Sequence, residues 1–172
     1  MGFIHEKLDI KILLLFILQR LPDMVTANEL SQFALIDAGI NYFDYIECLD
    51  ELTRTGHVVS TEAGYSITEK GINHISVVES TLPYSVRAKT GRSVAVLADA
   101  MRRRAMIETS HEDLPDGSAL VKLSLSDGRG AVLSMSLLTS GAEQAERMEK
   151  NFRDDAENLY ISIARLLSDP DD

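Results

Sequence analysis

One cysteine, Cys48, is all the thiol chemistry that this 172-residue chain carries. That excludes an internal disulfide and fits a reducing compartment. Cys48 follows Glu47 and has no basic neighbour close in sequence to favour a thiolate. A small, half-buried side chain is therefore expected there, not a reactive one. Long apolar runs are missing as well. The run from Ile12 to Leu18 (ILLLFIL) is far shorter than the about 20 residues a bilayer requires. It lacks a small-residue cleavage site, and Glu6 and Asp9 precede it, so a signal peptide is not expected. Glu6 also stands where a myristoylation signal needs Ser or Thr. A cytoplasmic protein without membrane contact is the expectation.

Catalytic constellations are absent in the same way. His5, His57, His74 and His111 form no i,i+4 pair and have no cysteine pair beside them, so no metal site is signalled. There is no G-x-S-x-G and no glycine-rich phosphate loop, since Gly128-Arg129-Gly130 falls in an expected hairpin. Asp154-Asp155 and Asp169-Pro170-Asp171-Asp172 read as surface and tail acids. Internal repeats and low-complexity linkers are also lacking. The expectation is a protein that is not an enzyme and has no cofactor and no metal.

What the chain does have is acid, unevenly spread. Its net charge is −10. Residues 1 to 78 carry five basic and eleven acidic side chains, and residues 106 to 172 carry six and fourteen. Between them, residues 79 to 105 carry six basic and two acidic, a cationic island flanked by acid on both sides.

The stretch from Thr26 to Ile67 organises the chain. Thr26 with Glu29 forms a capping box, and Val25 with Leu30 a hydrophobic staple, so a helix is expected from Ala27 to Leu35. A turn over Ile36-Asp37-Ala38-Gly39-Ile40 follows, with Asn41 capping a second helix that Gly56 ends. Tyr42, Tyr45, Ile46, Leu49, Leu52 and Thr53 fall on one face of it at helical spacing. The opposite face carries Asp44, Glu47, Glu51 and Arg54, with a Glu51–Arg54 pair expected on the surface. His57 to Ser60 and Tyr65 to Ile67 are short strand-prone runs around Ala63-Gly64. Ahead of all this, Leu8 to Leu21 is apolar nearly all round and reads as a buried helix that Pro22 terminates.

Downstream, Thr68 caps a helix reaching about Ser80, and Pro83 opens a long helix with Val86, Thr90, Val94, Leu97 and Met101 in one stripe. Gly91 weakens its middle enough to permit a break. From Met106 the period becomes two. Ile107, Thr109 and His111, then Val121, Leu123 and Leu125, then Leu133, Met135 and Leu137 alternate with polar residues. Turns at Pro115-Asp116-Gly117 and at Asp127-Gly128, a two-residue hairpin signal, complete a three-stranded antiparallel meander. Its polar side, Ser124, Ser126, Ser134 and Ser136, faces water by default. Ala145, Met148, Phe152, Ala156, Leu159, Ile163 and Leu166 form the stripe of a last helix that covers the meander, and Ser168 to Asp172 an acidic frayed tail. The expected class is α+β. Residues 1 to 80 form a winged helix-turn-helix, 81 to 105 a connecting basic helix, and 106 to 172 an α/β part.

Thr55-Gly56-His57 and then Tyr65-Ser66-Ile67-Thr68-Glu69-Lys70-Gly71 resemble the bacterial winged-helix regulators of the PadR and MarR kind over roughly residues 8 to 80. The whole chain resembles a family of short Firmicute proteins catalogued only as a domain of unknown function. These resemblances imply a dimeric winged-helix protein that binds duplex DNA as a transcriptional regulator, with a C-terminal part for dimerisation or ligand sensing. Asn41 and Arg54 on the second helix, with Arg87, Lys89, Arg92, Arg102, Arg103 and Arg104, are the candidate nucleic-acid contacts. The three consecutive arginines have equal claims as phosphate contacts, as cations at a helix C-terminus, or as partners of the flanking acids. An acidic face meeting a polyanion points the other way, to an adaptor that binds a protein partner and no DNA.

Overall fold

The residues from Ile12 to Leu18 are all buried in α1 (Lys7–Gln19), which explains a sequence with no polar face. In the computed structural model, residues 4, 6–35 and 39–168 are described. The chain divides into two compact units, Met1–Met101 and Arg102–Asp172.

In the first unit, α1 packs against α2 (Ala27–Ala34), α3 (Tyr42–Arg54) and α4 (Glu69–Val78). Thr26 and Glu29 make the reciprocal capping box at the start of α2, and Val25 and Leu30 of the staple are buried. Asn41 caps α3 by accepting from the Asp44 amide at 2.9 Å. Gly56, at φ +73°, closes it: the Gly56 amide donates to Thr53 and the His57 amide to Leu52, the paired bonds of a Schellman end. The turn expected over Ile36 to Ile40 lies largely outside the described residues.

β1 (Val58–Thr61) and β2 (Gly64–Ile67) pair antiparallel, Thr61 opposite Gly64. The hairpin is bolted down from outside: the Tyr65 amide donates to the Val25 carbonyl at 2.8 Å, and the Val25 amide to Tyr65 at 3.0 Å. Thr68 caps α4 and donates to the Gly56 carbonyl at 2.8 Å, tying the end of α3 to the start of α4. A 3-10 turn, Glu79–Thr81, leads towards α5 (Tyr84–Ala105), which runs through Gly91 without the break its composition permitted. Val86, Thr90, Val94 and Ala98 are its buried positions.

In the second unit, β3 (Ile107–Asp113), β4 (Ala119–Ser126) and β5 (Ala131–Thr139) form an antiparallel sheet in sequence order. Ala119, Val121, Leu123 and Leu125 of β4 are buried with Ala145, Phe152 and Ala156 of α6 (Ala142–Ser168). The β4–β5 turn corrects the two-residue expectation. It spans residues 127 to 130, where the Asp127 carboxylate accepts from the amides of Arg129 and Gly130, and the register shifts after Leu125. The apolar stripe of α6 is corrected too. Asp155 leaves helical geometry (φ −147°, ψ 34°) and takes the side-chain amide of Asn158 at 2.6 Å, so the helix is kinked there. Past that kink Leu159 is exposed and Leu166 is 71% exposed, so only the first half of α6 covers the sheet. Ser168 is helical; the rest of the expected tail, 169 to 172, lies outside the described residues. No described helix is long and apolar enough to cross a membrane.

Candidate functional site

α3 buries Tyr45, Cys48, Leu49 and Leu52. This corrects the expected inward face, because Tyr42 (56% exposed) and Ile46 (40%) point to solvent. Two overlapping apolar stripes compete along this helix, and burial selects the one containing Cys48. Tyr45 wins over Tyr42 because its hydroxyl finds the Ala27 carbonyl at 3.2 Å, so the ring can be buried with its polar end satisfied. Burial raises the Tyr45 phenol well above its ordinary value. Cys48 is fully buried, not half-buried; its Sγ lies 3.5 Å from the Lys7 carbonyl, and burial pushes the thiol up and away from thiolate chemistry.

The shifted phase changes what α3 shows to solvent. Taking about 100° per residue, Phe43, Glu47, Asp50 and Arg54 lie opposite the buried stripe, with Tyr42 and Ile46 on its flank. Phe43 is 84% exposed. Three of the four α3 acids are met by a cation, while the Asp44 carboxylate takes the side-chain amide of Asn41. Glu47 accepts from Lys7 at 2.6 Å, Glu51 pairs with Lys11, and Asp50 lies 3.4 Å from Arg54, replacing the expected Glu51–Arg54 pair. Lys11 holds the Glu51 carboxyl below its ordinary value, and Glu47 raises Lys7. The lysines come from α1, so sequence adjacency along α3 gave no hint of them. The acidity of this face is thus offset locally, and what stands out from it is an aromatic and aliphatic patch.

Of the other residues singled out from sequence, Arg87 is half-buried and its Nε donates to the Leu82 carbonyl at 3.2 Å, a local role. Lys89 and Arg92 are exposed opposite the buried stripe of α5. Arg102, Arg103 and Arg104 are exposed in its last turn, within the second unit. The tip of the hairpin, Thr61-Glu62-Ala63, has no cation.

Two clusters join residues that stand far apart in the sequence. His57 and His74, seventeen positions apart, face each other with His74 Nδ1 3.1 Å from His57 Nε2. They border a cavity of about 500 Å³ whose apolar wall includes Leu8, Ile12, Leu15 and Leu52. In the second unit Glu149, 8% exposed, accepts from His111 Nδ1 at 2.6 Å, from Thr109 Oγ1 at 3.1 Å and from Arg153 at 3.1 Å. Burial opposes the Glu149 charge, but these three bonds outweigh it and hold its carboxyl low, while Glu149 in turn raises His111. The only sequence signal for this cluster was the inward phase shared by Thr109 and His111. Among the described residues, no group of three or more His, Cys, Asp and Glu is placed to hold a metal ion.

The span of the chain that carries both units is also the span of a known family. A model described as "Domain of unknown function (DUF4364)" matches residues 10–167. The chain belongs to that family. No curated protein and no solved structure matches it. DUF4364 membership thus extends across the helices and hairpin of the first unit and the sheet and kinked helix of the second.

Proposed function

We propose that this DUF4364 protein is a winged helix-turn-helix transcriptional regulator that meets duplex DNA through α3. In this reading α2 and α3 are the helix-turn-helix, the β1–β2 hairpin is the wing, and α3 lies in the major groove. The observation that carries it is the outward face of α3: Glu47, Glu51 and Asp50 are paired with Lys7, Lys11 and Arg54, which leaves Tyr42, Phe43 and Ile46 forward. Apolar side chains of that kind contact thymine methyl groups, while phosphate affinity has to come from cations such as Lys89, Arg92 and Arg102 to Arg104.

Fluorescence anisotropy with a random duplex tests the assignment of those cations. Replacing Arg102, Arg103 and Arg104 by alanine should shrink the slope of log K against log salt by about 0.9 for each phosphate that the protein no longer neutralises. An unchanged slope removes these three arginines from the interface.

A second reading is favoured by the same patch. Phe43 at 84% exposure beside Tyr42, with ring centroids 6.4 Å apart, suits an aromatic anchor for a protein partner. A Phe43→Asp variant that loses a protein partner, in a chain that ignores duplex at low salt, selects the adaptor.

The regulator is proposed to be a homodimer. Its support is the half of α6 beyond Asp155, where Leu159, Tyr160, Ile161, Leu166 and Leu167 are exposed on a helix too short to hold itself in water. Leu159→Asp with Leu166→Asp should convert the dimer to a monomer in sedimentation velocity. A wild-type chain that sediments as a monomer contradicts the pairing.

A further inference from the structure

Thr55 ends α3 with a hydroxyl that donates to the Glu51 carbonyl at 2.7 Å and sits 2.8 Å from His57 Nδ1. With its hydrogen committed to Glu51, the hydroxyl can only accept from the ring, so His57 carries its hydrogen on Nδ1. Its Nε2 is then a lone pair, and it is aimed at His74 Nδ1, 3.1 Å away. Two ring nitrogens on one tetrahedral zinc ion, with bonds near 2.0–2.1 Å, stand about 3.3 Å apart. The observed gap is within a few tenths of an ångström of that bite.

We propose that His57 and His74 form a two-imidazole site for a divalent transition-metal ion of the zinc and copper class, with solvent completing the coordination. The ion takes the place of the hydrogen now shared between the rings, and His74 moves its own hydrogen to its other ring nitrogen. Thr55 is a positioning residue: it fixes the ring orientation and tautomer of His57 from behind, as outer partners of metal-bound imidazoles do. Lys70 is the opposing charge; its ammonium donates to the Thr55 carbonyl at 2.7 Å and is held close by. Because His57 leads into β1 and His74 lies on α4, the ion would staple the base of the hairpin to the helix that follows.

The test is calorimetric titration of Zn2+ into the full chain, with Cu2+ electron paramagnetic resonance as a count of bound nitrogens. Saturable uptake of one ion per chain and coupling to two ring nitrogens are expected. His57→Asn and His74→Asn should each abolish that uptake, and Thr55→Val should weaken it about tenfold. Zn2+ should also raise the melting temperature of the wild type and leave that of His74→Asn unmoved. The proposal is overturned if the wild type shows no saturable uptake, if His57→Asn or His74→Asn binds as tightly as the wild type, or if Cu2+ couples to fewer than two nitrogens. The nitrogen count needs only the wild type, so it decides the matter even if a variant fails to fold.

Discussion

Gly64→Ala is expected to destabilise the first unit by about 3–5 kcal/mol, the sum of a strained backbone and a steric clash. Gly64 has φ +136°, a conformation that residues with a Cβ rarely adopt. A Cβ built there would stand 2.2 Å from the Val25 carbonyl oxygen and 2.6 Å from its carbon. That oxygen accepts from the Tyr65 amide at 2.8 Å, so relief of the clash has to move the strand that holds the hairpin in place. Gly56→Ala is the control. Its φ is +73°, but a Cβ there meets nothing within 4 Å, so its cost is the backbone strain alone, about 1 kcal/mol. Urea denaturation followed by circular dichroism measures both. For a unit of 60–100 residues each kcal/mol corresponds to roughly 4–8 °C in melting temperature, so Gly64→Ala should melt at least about 12 °C lower. Equal midpoints for the two variants would mean that the hairpin is not anchored at Val25.

Glu149→Ala should cost the second unit about 2 kcal/mol, because it leaves the hydrogen-bonding groups of His111, Thr109 and Arg153 without the carboxylate they converge on. The cluster also sets a pH dependence. His111 is raised above 6.5 by Glu149, so its stabilising contribution is full below pH 6.5 and is lost as pH rises through the folded-state value. Glu149 is lowered below 4.5, so its contribution is full above pH 4.5 and is lost as pH falls through its folded-state value. The pair therefore supports the unit best between pH 4.5 and 6.5. Thermal melts should show stability declining above pH 6.5 in the wild type, with that decline reduced in His111→Gln. A His111→Gln variant with the same pH profile as the wild type would remove the pair from the account.

Much of this architecture is legible along the chain because its causes are local. The Thr26–Glu29 box, the Asn41 cap, Gly56 and the strict alternation from Ile107 to Leu125 each specify their element within a few residues. What escapes a linear reading is set across space. The phase of α3 was ambiguous between two apolar stripes, and the deciding factor was the Ala27 carbonyl waiting for the Tyr45 hydroxyl. The acids of α3 looked exposed because Lys7 and Lys11, forty positions away, are invisible to i,i+4 spacing. His57 and His74 looked isolated for the same reason, since a hairpin and a capped helix fold them together. The kink at Asp155 had a hint in the Asp154-Asp155 pair, because aspartate prefers helix caps to interiors.

Binding of the wild-type chain to a random duplex, followed between about 50 and 200 mM salt, is the most direct test that α3 and the cations of α5 serve DNA. Measurable affinity at the lower salt that falls about 500-fold at the higher is predicted if the five exposed α5 cations each neutralise one phosphate. No binding at about 50 mM, where a sequence-independent electrostatic term is strong, would contradict the DNA-binding reading and leave the exposed Phe43 patch to a protein partner.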